Sequence, residues 1–252
     1  MIKVLLFVLL STSFAFSQIG IEQICTQNLA GPVNSVQCGL SNVEPDRSFL
    51  MTLHYNGLGR FQEQRPVELG FVGEPNSITS IGMDTWAMFM LDTWGDTCIT
   101  GPLQFGFIFD LPAYNVQMGL FQINGIGAED GTFPSPQYGN FQPPVATLPG
   151  VQAGDLVVGW INTATSVQPY GYGPGKDYRF ISGTPADSWE YQIAPQTTDL
   201  QLIRWAGRPT REVKWVQLAG AYHPSIRSTY CSTTHALVFP LYRPLYLNKF
   251  QQ

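Results

Sequence analysis

The chain has 252 residues and a mass of 28.0 kDa, which bounds it to one large domain or two small ones. Hydrophobic residues make up 44%, enough for a packed core and against wholesale disorder, while charged residues make up only 12%, about half the usual share. A net charge of −5 argues against nucleic acid as a partner, because phosphate neutralisation needs clustered Lys and Arg.

The amino terminus reads as a secretory signal peptide. Lys3 gives a short basic start, residues 4–10 (VLLFVLL) are an apolar core, and residues 11–17 (STSFAFS) approach a cleavage site with small Ala15 and Ser17. Cleavage before Gln18 leaves a single secreted domain over residues 18–252. The apolar stretch is too short to span a bilayer, and no later stretch approaches the roughly 18 apolar residues that a membrane helix needs.

Cys25, Cys38, Cys98 and Cys231 are an even count, which in an oxidising compartment reads as two disulfides. Three pairings are open. The short spacing favours Cys25–Cys38, leaving Cys98–Cys231 to tie the middle of the chain to its carboxyl end. A zinc site has no support, since there is no CxxC pair and His54, His223 and His235 stand in separate segments. No metal and no cofactor is expected.

From Ser48 onward, short apolar stretches alternate with Gly, Pro and Asn. Strands are expected at residues 49–55, 67–72, 103–111, 116–123, 156–162, 178–181, 189–193, 200–205, 213–218 and 236–241. The clearest is 103–111 (LQFGFIFDL), where Phe105, Phe107 and Phe109 share one face at period two and belong in a core. Residues 83–92 (MDTWAMFMLD) are apolar too densely to show a period: a helix capped by Asp84 and a buried strand fit equally well. Residues 127–150, with five prolines, and 168–177 (QPYGYGPGKD) read as long loops. Strands separated by turns, without alternating helices, predict an all-β fold: an antiparallel β-sandwich or jelly-roll-like domain, disulfide-braced, with little helix.

Catalytic motifs are sparse. The Gly-rich segment before Lys176 fails as a phosphate loop, because Tyr170 stands where the first Gly belongs and Asp177 replaces the Ser or Thr. There is no GxSxG elbow. His235, beside Cys231, Thr233 and Thr234, is the best candidate base, against the simpler reading of a histidine satisfied by backbone. A glycosidase needs two carboxylates within about 5–9.5 Å of each other. Asp92 and Asp96 bracket Trp94, with Asp84 and Trp86 upstream, which suits a sugar site; a turn at Gly95 with Trp94 in the core is the bland alternative.

What remains in excess is aromatic: 33 Phe, Trp and Tyr residues. Tyr170 and Tyr172 lie in a Gly/Pro-rich loop, where tyrosines offer large contact area at small entropic cost. Together with Trp94 they are the expected ligand-contacting residues. The sequence therefore predicts a secreted non-catalytic module of a matrix, coat or recognition kind, binding an extracellular glycan or protein. A secreted carbohydrate-active enzyme with dispersed acids is the alternative.

Overall fold

The computed structural model describes residues 20–43, 47–64, 75–91, 101–124, 131–140, 145–162, 178–183, 187–205 and 214–223. In chain order the strands are β1 (Gly20–Leu29), β2 (Val33–Val43), β3 (Arg47–Asn56), β4 (Phe61–Gln64), β5 (Ser77–Ile81), β6 (Asp84–Leu91) and β7 (Gly101–Asn124). There follow β8 (Gly131–Thr132), β9 (Gln137–Asn140), β10 (Val145–Val151), β11 (Leu156–Asn162), β12 (Arg179–Gly183), β13 (Asp187–Ile193), β14 (Thr198–Arg204) and β15 (Lys214–Tyr222). Every described pairing is antiparallel, and no helix occurs among the described residues. The expected all-β class is what the chain adopts. No helix among these residues is long and apolar enough to cross a membrane.

The organising element is β7, whose 24 residues fold the first sheet over on itself. Its first half pairs with β2 on one side and β4 on the other. Its second half pairs with β1 and β3. The bend falls at Pro112 and at Asn115, whose φ of 48° lies in the left-handed region that Asn tolerates better than most residues. The sequence suggested two strands, 103–111 and 116–123, and the structure shows one bent strand.

The two halves enclose a core. Phe49, Met51, Leu53 and Tyr55 from β3 meet Phe105, Phe107 and Phe109 from β7, all buried. Ring centroids lie 4.8 Å apart for Phe49–Phe105 and 5.4 Å for Phe89–Phe107. A disulfide joins Cys25 in β1 to Cys38 in β2 across this core. Cys98 and Cys231 lie outside the described residues, as do the expected strands 67–72 and 236–241.

The opposite face of β3 and β6 packs on a second sheet of order β12-β13-β11-β15, with β8 and β9 both pairing with β15. Here Leu50, Trp86, Met88 and Phe121 meet Val158, Trp160, Trp189 and Leu218. The far side of that sheet carries the β10–β14 pair, where Ala146, Leu148 and Ile203 pack on Val157, Ala219 and Ala221. Four layers of strand result. Strands β3, β6 and β11 are therefore buried on both faces, which explains why residues 83–92 showed no period: β6 is a two-sided interior strand, and Asp84 starts it rather than capping a helix.

Strands β8, β9 and β10 run through the segment expected as a long loop over 127–150. Pro149 is accommodated because β10 lies in a two-stranded sheet and the ring is exposed.

Candidate functional site

The chief polar cluster lies where the folded first sheet meets the second. His54 on β3 sits opposite Trp86 on β6 and Gln117 on β7 in the strand register. Its Nδ1 lies 3.2 Å from Gln117 Oε1, and its Nε2 lies 3.1 Å from Asp84 Oδ1. Asn56 donates to the same Asp84 oxygen at 3.2 Å. Across the sheet boundary, Asn162 of β11 donates to Gln117 Oε1 at 2.6 Å and accepts the Trp86 indole N–H at 2.7 Å. The His54 ring stacks on the Trp86 indole with centroids 4.9 Å apart and planes 15° from parallel.

Burial alone would raise the Asp84 carboxyl, but hydrogen bonds from His54 and Asn56, with the His54 charge, outweigh it and hold it below the ordinary carboxylate value. A carboxyl depressed in the folded state stabilises the fold above its unfolded value, about 3.9, and that contribution disappears as pH falls through the folded value. Asp84→Asn should accordingly lower the melting temperature at pH of about 6, and the gap to wild type should narrow below pH of about 4. A gap independent of pH, followed by scanning calorimetry, would show that the Asp84 charge contributes nothing.

Neither nitrogen of His54 is left to take a proton from a substrate. Trp86 is 2% exposed with one face covered by His54, so it offers no platform to a sugar ring, and the expected pairing of Asp84 with Trp86 serves the fold.

A second histidine is differently placed. His223, just beyond β15, has Nδ1 at 2.6 Å from Asp155 Oδ1, and the other Asp155 oxygen accepts the Gln152 backbone N–H at 2.7 Å. Asp155 is buried, while the His223 side chain is 29% exposed. This contact orients the imidazole through Nδ1, and no hydroxyl or thiol bonds to the ring among the described residues. Asp84, Asp110 and Asp155 each serve separate local partners, with Asp110 accepting the Arg60 N–H, so these acids share no common cluster. Among the described residues no group of three His, Cys, Asp or Glu could hold a metal ion.

Among the described residues the exposed charged ones, Glu22, Arg60, Asp110, Arg179, Asp199 and Arg204, are few and set among uncharged surface. On the outer face of β2, β7 and β4, Ser35, Gln37, Gln62, Gln104 and Ile108 are exposed. Gln104 donates to Gln37 across the β2–β7 pair. Near the bend of β7, Leu58, Met83, Leu111 and Tyr114 are exposed, Leu58 at 79%. The backbone N–H of Gly57 donates to the Met83 carbonyl at 2.8 Å, which draws the first two of these loops together.

The residues singled out from the sequence for ligand contact, Tyr170, Tyr172 and Trp94, lie outside the described residues, as do Asp92, Asp96 and His235. The glutamine face was missed because Gln37, Gln62 and Gln104 are dispersed over three strands, although the abundance of Gln, 19 residues, was its signal. Comparison with protein-family models and with curated proteins found no match to the chain.

Proposed function

We propose that the protein is a secreted, non-catalytic extracellular module of a matrix, coat or recognition kind that binds a neutral glycan or a protein. The observation that supports this reading is the amide-rich outer face of β2, β7 and β4, where Gln37, Gln62 and Gln104 are exposed and the carboxylate of Asp110 stands at one end. Amides without charge suit polyol hydroxyls and peptide groups, and they cost far less to desolvate than a charged group. Residues 1–17 provide the export signal on this reading, and the loop tyrosines add aromatic contact.

The test is incubation of the pure protein with a panel of glycans, with both retention and new reducing ends measured. Retention without new reducing ends is expected. Release of reducing ends would overturn the non-catalytic reading in favour of a carbohydrate-active enzyme.

On a retained ligand, replacing Tyr170 and Tyr172 together by Ala should weaken binding by roughly 1–3 kcal/mol and leave the melting temperature nearly unchanged. Gly171 and Gly173 add little side-chain bulk between the rings in sequence, and Pro169 and Pro174 limit the backbone freedom lost on binding. Unchanged affinity in a titration of the double variant would remove the loop from the binding surface. Unfolding would place the rings in the core.

A further inference from the structure

The hydrogen bonds around His54 run in one direction, and that direction is set at the end farthest from the ring. An indole nitrogen can only donate, so the Trp86 N–H fixes the oxygen of Asn162 toward itself. The Asn162 amide group must then donate to Gln117, which fixes Gln117 Oε1 as an acceptor. An amide oxygen has no proton to give, so Nδ1 of His54 donates to it. On the other side Nε2 faces the Asp84 carboxylate, which accepts from Asn56 as well and likewise has nothing to give.

We infer that His54 carries a proton on both ring nitrogens, and that the Nδ1 proton latches the folded first sheet onto the second. The stacking of the ring on Trp86 supports this independently, since an indole face attracts a cation. From β6 the ring faces Asp84 and Trp86, and from β7 it faces Gln117, which relays to Asn162 of β11. Asp84 is the one titratable group among these, with Tyr114 one pair along, opposite Asn56.

Loss of either proton places a lone pair against an acceptor. If Nδ1 is stripped, the Gln117 amide can turn to offer its NH2, but its oxygen then leaves the Asn162 NH2. Asn162 cannot turn in response without setting its own NH2 against the indole N–H. The defect cannot be healed within the chain of bonds, so a bond between the two sheets is lost. Asn162 is the residue of β11 in this chain, so the ring proton and the sheet junction are coupled.

The test uses the full-length protein and nitrogen-15 NMR of the histidine rings, with His54→Gln to assign the signal. At neutral pH the His54 ring is expected to show two protonated nitrogens, and a neutral tautomer there overturns the inference. Raising the pH until that signal changes should also speed amide exchange in β11, corrected for its intrinsic pH dependence. Exchange that stays constant through the change would break the coupling. Trp86→Phe keeps an aromatic ring and removes the donor that sets the direction. In this variant His54 should show one ring proton at neutral pH, and β11 amides should exchange about tenfold faster, as for the loss of one buried hydrogen bond. A ring that keeps both protons in Trp86→Phe would show that the indole does not set the direction. Should that variant fail to fold, the wild-type spectrum and titration decide.

Discussion

Gly106→Ala should cost about 3 kcal/mol or more, read as a lower urea midpoint with an unchanged slope. Gly106 stands in β7 opposite Gln37, and a Cβ built there falls 2.4 Å from the Val36 carbonyl oxygen and 3.2 Å from the Gln37 Cα. Those are backbone atoms of the neighbouring strand, and no rotamer change can move them aside. Relief requires β2 to separate from β7, at the expense of ladder hydrogen bonds and of the packing of Val36 and Cys38 in the first core. Gly39→Ala provides the control. A Cβ at Gly39 meets nothing within 4 Å, so this variant should be neutral or slightly stabilising. Equal losses from both changes would show that strand glycine entropy, rather than the close approach at Gly106, governs the effect.

Replacing Cys25 and Cys38 together by Ser should cost about 3 kcal/mol by the loop-closure estimate for their 13-residue separation. The native state should lose something further, because Cys38 is 1% exposed and a serine hydroxyl in its place needs a partner. The bond joins β1, paired with the second half of β7, to β2, paired with the first half, so it holds the two folded layers together. Chemical unfolding of this variant beside oxidised wild type and the Cys25→Ala/Cys38→Ala variant, all without reductant, separates the two contributions. The alanine variant should lie between the others, and a serine variant as stable as the wild type would show that the cross-link adds nothing.

Fold class was readable from turn chemistry and strand-length apolar runs, and β3, β11 and β13 lie close to where those runs put them. The errors have physical causes. Strand β6 resisted assignment because both its faces are buried, which removes the alternation that marks a one-sided strand. Strands β1 and β2 were passed over because their exposed positions hold Gln, Asn, Thr and Ser between few apolar residues. At β7, Pro112 and Asn115 look like a break between two strands, and only the partners on each side show that the strand continues through its bend. The polar cluster was hidden for a different reason. His54 and Asp84 are 30 residues apart, and His54 and Gln117 are 63 apart, so strand register creates a proximity that leaves no local motif. Tyr170 and Tyr172 were named from their Gly/Pro-rich surroundings and Trp94 from the flanking Asp92 and Asp96, and all three lie outside the described residues.

The bent central strand also sets a timetable for folding. Gly20 pairs with Asn124 and Val43 with Gly101, so residues 20–43 find their ladder only after more than half of the hundred residues that follow them have been made. Until then β1, β2, β3 and β4 lack the strand that organises them, and the chain entropy lost in closing such distant contacts comes before any reward. Refolding should be slow for a chain of this size, and it should be sensitive to protein concentration, since unpaired strand edges on separate molecules can find each other first. During synthesis the whole amino-terminal layer is a waiting half-structure. Its many uncharged glutamines keep it hydrated but do not repel a second copy, so the interval before β7 emerges is when association between copies competes with folding.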